Sequence, residues 1–270
     1  MIKNEYHALR AFLMYSKEYH TMDYFWYCYI FILGSIIGSF LNVCICRLPK
    51  KESIVTGRSH CTNCDHPLSF LEMVPILSYL FLGGHCKQCK THISLQYPLV
   101  EALTAVLFVL SVIRFGFTPY AMLLCAFFAV LIVCAGIDIH TMEFPDILHI
   151  WILGISIIHF IIAPSFFIEG LIGFVILSVP MLLLSLVTDG FGGGDIKLSA
   201  VCGLFLGYKL VLIGFFAACI TAAIFGTFLL LSKKADKKSR FAFGPHLAFG
   251  FALSALYGAD ILNAYLSLFF

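Results

Sequence analysis

Two sets of residues in this chain have types and spacings that can do chemistry. The first is a group of four cysteines. Cys61-Thr62-Asn63-Cys64 and Cys86-Lys87-Gln88-Cys89 are two C-x2-C pairs with 21 residues between them. Each pair makes a tight turn whose thiolates converge, and two such turns complete a tetrahedral sulfur site suited to zinc. The segment carrying them is too short to hold itself together with a core, so a metal crosslink would supply its fold. The alternatives are unrelated cysteines or two disulfides, and a reducing compartment disfavours disulfides. His60, His66, His85 and His92 flank the turns, but four thiolates already suffice, so these read as surface residues. Cys28, Cys44, Cys46, Cys125, Cys134, Cys202 and Cys219 lie in apolar runs and read as small packing residues.

The second set consists of acids beside apolar runs: Glu101, Asp138, Glu143, Asp146, Asp189, Asp195 and Asp260. Ionisable groups at membrane depth are costly and point to function. Asp138 closes the run ending Ala135-Gly136-Ile137, and Asp195 follows Gly192-Gly193-Gly194 directly before a helical pattern. Glycines allow close backbone approach, so the Gly-rich entry can hold Asp195 near another helix or leave room for a peptide strand. If Asp138 and Asp195 meet, one ionised carboxylate can deprotonate a water while its protonated partner polarises a carbonyl. Such a pair titrates as a unit. The bland alternative is helix-end acids facing water, or pairing with Lys197. A phosphate cradle does not fit, because Gly-Gly-Gly-Asp lacks Walker spacing and a preceding strand.

The elements that must position these groups follow from composition. Of 270 residues, 61% are hydrophobic and only 12% charged, with mean hydropathy +0.97. A soluble chain needs roughly a quarter of its residues charged to cover its surface, so soluble enzymes and disordered chains are excluded. The net charge of +2 does not argue for nucleic acid. Apolar runs cover about Tyr24–Cys46, Pro98–Ile113, Pro119–Ile137, Ile147–Ala163, Glu169–Val187, Leu198–Leu231 and His246–Phe270. Several reach the ~20 residues that cross a hydrocarbon core. Leu198–Leu231 is too long for one crossing and holds Gly203, Gly207, Tyr208, Lys209 and Gly214 as breaks, so it reads as one short and one full helix.

Basic loops stay cytoplasmic. Arg47–Tyr97 carries Arg47, Lys50, Lys51, Arg58, Lys87 and Lys90, and a second cluster is Lys233, Lys234, Lys237, Lys238 and Arg240. With both inside, the fold class is an all-α polytopic membrane protein of about eight transmembrane helices. Its N-terminus lies outside, and the insert is a small zinc-binding cytoplasmic domain. Twelve Lys and Arg then fall inside and five outside. The domains are an N-terminal extension 1–23, a first transmembrane helix 24–46, a cytoplasmic tetracysteine domain 47–97 and a membrane-embedded core 98–270. Within the insert, Leu68–Leu82 is apolar, contains Pro75 and is too short to span. It should pack at the interface or against the bundle.

Seven segments in order resemble the type IV prepilin peptidase family. They are Gly38-Ser39-Phe40-Leu41-Asn42-Val43 with Arg47-Leu48-Pro49; the two C-x2-C turns; Pro75-Ile76-Leu77-Ser78-Tyr79-Leu80; and Tyr97-Pro98-Leu99-Val100-Glu101. Further on come Asp138 with Pro145-Asp146, then Gly192-Gly193-Gly194-Asp195-Ile196-Lys197-Leu198, and Phe243-Gly244-Pro245-His246-Leu247-Ala248. The resemblance spans most of the chain. It implies a GxGD-type aspartic protease whose two catalytic aspartates are Asp138 and Asp195. The substrates are type IV prepilin or type II secretion pseudopilin precursors, cut after a glycine that ends a short basic leader. The same resemblance implies methylation of the new α-amine by S-adenosylmethionine, and a multi-pass protein of the bacterial inner membrane acting at its cytoplasmic face. Relatives that only cleave, including those acting on archaeal-type precursors, tend to lack the tetracysteine insert, which argues for the bifunctional type.

Departures are modest. The extension before Tyr24 is long, Glu143 adds a third acid near the pair, and His246 stands where an apolar residue is expected. No G-x-G-x-G strand–helix signal locates a methyl donor. Glu101 can bind a cation, but capping a helix start or pairing a base is its simpler role, and Asn42 can serve helix–helix hydrogen bonds alone. The competing reading from another class is a proton-coupled transporter, which would place its acids near the bilayer midplane within repeated halves.

Overall fold

The computed structural model describes residues 2–57, 59–61, 63–188, 191–232 and 241–269, with side chains from Tyr24 to Leu268. The basic cluster Lys233–Arg240, Arg58 and Asp189 lie outside the described residues. Among these residues there is no β-strand, only two isolated bridges, His60 with Pro67 and His85 with His92. The helices are α1 (Ile2–Arg47), α2 (Leu77–Phe81), α3 (Gln96–Phe115), α4 (Pro119–Thr141), α5 (Asp146–Ile162), α6 (Phe167–Thr188), α7 (Gly193–Leu231) and α8 (Gly244–Phe269). Six of these are long and apolar enough to cross a membrane, and α5, with 17 residues, is shorter. Where the sequence suggests a first helix at Tyr24, α1 is continuous from Ile2. The chain has no glycine or proline before Gly34, so nothing local interrupts it.

Local chemistry sets the helix ends. Pro119 opens α4 behind Thr118, whose hydroxyl oxygen accepts from the Ala121 amide at 3.2 Å. The helix ends at Met142 in the left-handed region (φ 53°), whose N–H donates to the Asp138 carbonyl at 2.9 Å. Pro145 stands immediately before α5 and Asp146 occupies that helix's first turn, where a carboxylate suits the positive end of the dipole. The expected break in the long apolar run falls at Gly207, with φ 78° and ψ 168°. That conformation is open to glycine and hostile to residues with a Cβ.

The two arms of α7 run in opposite directions. The first packs on α6, where Gly173 and Gly203 meet backbone to backbone, and Gly170 lies against the Leu204 carbonyl. The second packs on α8, with Gly214 against Phe251 and Gly250 against Ala218. Small residues of this kind let apolar helices approach closely where no aqueous hydrophobic effect drives them together. Gly34 against Ala105 and Gly38 against Glu101 join α1 to α3 in the same way.

These pairings give the bundle two distinct ends. One gathers Tyr120, His159, Phe166 and Phe205 around the Gly207 break, with Arg114 ion-paired to Asp260 nearby. The other holds Asp138, Phe144, Gly194 and Gly244. Between them lies a core built on Phe127, Phe128, Phe205, Phe251 and Leu124, with the rings of Phe127 and Phe205 stacked at 4.5 Å. The outward surface is apolar too: Trp151, Leu186 and Val187 are exposed. Such a surface is costly in water and costs nothing against lipid tails.

The insert between α1 and α3 contains the two cysteine turns, a 3₁₀ turn at Phe70–Met73 and the short α2. Phe70, Leu71, Leu80 and Phe81 of its apolar piece are exposed, in keeping with a segment that lies at an interface rather than spanning.

Candidate functional site

The two cysteine turns are copies of one backbone pattern. Cys61 N–H donates to the His66 carbonyl and Asp65 N–H to the Cys61 carbonyl; likewise Cys86 N–H donates to Thr91 and Lys90 N–H to Cys86. The residue after each second cysteine, Asp65 or Lys90, takes a positive φ, 54° or 60°. The four Sγ atoms lie within 4.8 Å of one another, and Cys61 and Cys89 are 3.7 Å apart. A tetrahedron with metal–sulfur bonds of about 2.3 Å has edges of about 3.8 Å, so the set fits a zinc-sized ion. The thiols also compete for charge. Cys89 is pushed down to about 5 by the Thr91 hydroxyl and backbone. Cys64 feels a downward pull from the His66 backbone, but desolvation and the Cys89, Cys61 and Cys86 thiols carry it up to about 12. Four sulfurs this close need a cation to ionise together. The flanking histidines are turned to other contacts: His85 Nδ1 meets the Gly83 carbonyl, His92 Nδ1 the Ile93 carbonyl, and His66 the Glu72 carboxylate.

At the acidic end of the bundle, Asp138 is 3% exposed, and its Oδ2 accepts from the Gly244 N–H at 2.8 Å across 106 residues. Asp195 sits in the first turn of α7, and its Oδ1 is buried without a hydrogen-bond partner. Asp195 is close enough to Asp138 to feel its charge. Phe144, from the turn between α4 and α5, is the wedge between their supports: its ring lies against both Gly194 and Gly244. A Cβ on Gly244 would stand 2.7 Å from Asp138 Oδ2, so glycine is what allows the N–H to reach the carboxylate. One carboxylate is thus anchored on the Gly244 amide, and the other, beside the Gly192 backbone, keeps one oxygen unpartnered.

The remaining acids separate by position. Asp146, exposed, pairs with Lys197 at 2.7 Å and ties the start of α5 to the start of α7. Glu143 is exposed, and Asp260 pairs with Arg114 at the opposite end. Glu101 neither caps its helix nor pairs a base; its Oε2 accepts from the Ile76 N–H of the insert at 2.7 Å. Ile76 holds φ 62°, which turns that N–H toward the bundle. Asn42 does bridge helices as expected, donating to the carbonyls of Gly38 and Tyr97. His246 contacts Thr221 and packs between the Phe225 and Phe241 rings. Of the apolar-run cysteines, Cys44, Cys134 and Cys202 are buried packing residues, whereas Cys28 and Cys46 are exposed.

His149 escaped the sequence reading. It is 7% exposed, its ring packs near Phe144, its Nδ1 lies 3.8 Å from Asp146 Oδ1, and neither ring nitrogen has a hydrogen-bond partner. The available signal was its spacing with Ile152, Ser156 and His159 on the buried face of α5.

Comparison with known proteins bears on both sites. Residues 32–115 match the bacterial peptidase A24 N-terminal domain, and residues 125–227 match the type IV leader peptidase family. A prepilin leader peptidase/N-methyltransferase of Bacillus subtilis (strain 168) is 37% identical over 244 residues, covering 88% of this chain and 97% of that protein. Proteins with the same name from Aeromonas salmonicida (strain A449) and Pseudomonas aeruginosa are 31% and 32% identical, over 92% and 87% of this chain and 96% and 91% of their own lengths. No solved structure matches the chain.

Proposed function

The chain belongs to the type IV leader peptidase family, and on that premise we propose that it removes the basic leader from type IV prepilin or pseudopilin precursors and then methylates the exposed α-amine. The catalytic pair is Asp138 and Asp195. The observation that carries this reading is their meeting at one end of the bundle, with Asp138 held by the Gly244 amide and Asp195 Oδ1 left buried without a partner.

Two facing carboxyl groups with one proton between them divide the work. The ionised carboxylate takes a proton from water as the oxygen adds to the scissile carbonyl. The protonated partner donates a hydrogen bond to the carbonyl oxygen as it gains charge. Collapse of the tetrahedral adduct breaks the C–N bond, and the proton first taken from water passes to the leaving amine. Acids at a bundle end suit a substrate whose cationic leader stays in the cytoplasm while its apolar segment sits in the membrane. The topology we infer is eight crossings with the acidic end and insert at the cytoplasmic face of a bacterial inner membrane. Residues 47–97 form the insert domain and residues 98–270 the protease core. A proton-coupled transporter is not favoured, since the acids gather at an end rather than the middle.

Cys61, Cys64, Cys86 and Cys89 hold zinc, which gives the insert its structure. S-adenosylmethionine, when bound, supplies a methyl carbon activated by its sulfonium. The chain's part is to present the freshly released, unprotonated amine to it.

Asp195→Asn and Asp138→Asn each keep the side chain's size and remove its ability to ionise. In membranes holding each variant and a prepilin substrate, leader removal should fall by about 10²–10⁴-fold, with protein levels unchanged. Full cleavage by either variant would remove that aspartate from the mechanism.

A further inference from the structure

A cavity of about 630 Å³ lies between the last turns of α1, the first turns of α3 and the insert. It draws its lining from Ser39–Arg47, from Tyr97–Glu101 and from both cysteine turns, and neither Asp138 nor Asp195 reaches it. Its size is that of a pocket for one small organic ligand.

The floor of this cavity is rich in acceptors and lacks a cation. Asn42 is 2% exposed, and its amide N–H groups donate to Gly38 and Tyr97, so its buried Oδ1 has no donor. Glu101 is 7% exposed and accepts from the Ile76 N–H and from the Ser39 hydroxyl, both neutral donors. No Lys, Arg or His among the described residues forms an ion pair with it. A buried carboxylate without a cation and a buried amide oxygen without a donor are each costly, and a ligand carrying positive charge and N–H groups offsets both. The walls add the aromatic rings of Phe40, Tyr79 and Tyr97, which suit a sulfonium or a flat heterocycle. The rim adds Arg47 and Lys50, which suit a carboxylate.

We propose that this cavity is the S-adenosylmethionine site, with Asn42 and Glu101 as its polar floor; the assignment rests on the methyl transfer proposed above. The ligand's sulfonium, amine, carboxylate and purine find complements in one enclosure, and a neutral or anionic metabolite does not match the floor. The position also suits a relay. Gln96, at the start of α3, meets His140 of α4 at 2.6 Å, and Ile45 of α1 packs on Gly136, two residues before Asp138. The helices that wall the cavity are therefore packed against the helix that carries one of the two acids.

The test is direct binding, by equilibrium dialysis of radiolabelled S-adenosylmethionine and of S-adenosylhomocysteine against the purified full-length protein in detergent. Glu101→Gln preserves shape and an acceptor for the Ile76 N–H while removing the charge. It should weaken S-adenosylmethionine by about tenfold or more, and the uncharged thioether product much less. Asn42→Leu should weaken both ligands, and an unchanged thermal midpoint reports that each variant is folded. If the parent protein binds S-adenosylmethionine and both folded variants bind it equally well, the cavity assignment is wrong while methyl transfer stands. If the parent protein binds neither compound, the methyltransferase reading fails with it. If a synthetic basic leader peptide displaces the bound label competitively, the cavity belongs to the leader and the assignment falls.

Discussion

In the insert, each pair of converging cysteines is three positions apart in the chain, and the same two backbone hydrogen bonds close both turns. In the bundle, Asp138 and Asp195 are brought together by helices that touch through glycines far apart in sequence, and the amide that holds Asp138 comes from a third helix. The insert's sulfur cluster is thus written locally and, in the function proposed above, is completed by an ion. The acid pair has no local motif that makes it a pair; it exists because α4, α7 and α8 pack as they do. The two regions should therefore fail separately, one through its metal and the other through its helix contacts.

The largest separation should come from removing the metal. Chelation, or Cys86→Ser, takes from the insert an ion whose binding in small sulfur sites contributes on the order of 10 kcal/mol to folding. The insert should become protease-sensitive and methylation should disappear, while leader removal persists. Metal analysis, limited proteolysis and mass spectrometry of the pilin N-terminus read these outcomes together. Cleavage lost in step with the metal would break the separation.

The converse perturbation is smaller. In Gly244→Ala the added methyl meets Phe144 and stands 2.7 Å from Asp138 Oδ2. Displacing the carboxylate by even part of an ångström should lower cleavage by about 10²-fold, with metal content unchanged. Parent-like cleavage kinetics would show that the Gly244 contact does not hold the acid in place.

The smallest effect is expected at Lys197→Met. Its pair with Asp146 is exposed on both sides, and exposed ion pairs add little to stability. Thermal midpoint and cleavage rate should both stay at parent values. A fall in cleavage alone would extend the acid site outward to include this bridge.

Read residue by residue, much of this was legible in the chain. Hydropathy marked the helices, and the glycine-rich break resolved to Gly207, because a positive φ is a local demand. The C-x2-C spacing marked the sulfur cluster, since two residues suffice to close each turn. Asp138 and Asp195 stood out as acids beside glycines. Glu101 and His149 were less legible. The role of Glu101 depends on Ile76, an N–H turned inward by the insert, and that of His149 on the face of α5 that the neighbouring helices cover.

The sequence by itself determined the class of molecule, the order of its helices, the sulfur cluster and a short roster of acids, because hydropathy and turn geometry act over a few residues. Only the tertiary structure decided which acids meet, that Asp260 is held at the far end by Arg114, and that a cavity floored by Asn42 and Glu101 opens beside the insert. Those outcomes depend on which small residues lie opposite one another when apolar helices pack. An apolar run of about 20 residues carries no instruction about its neighbour until the helices are in contact.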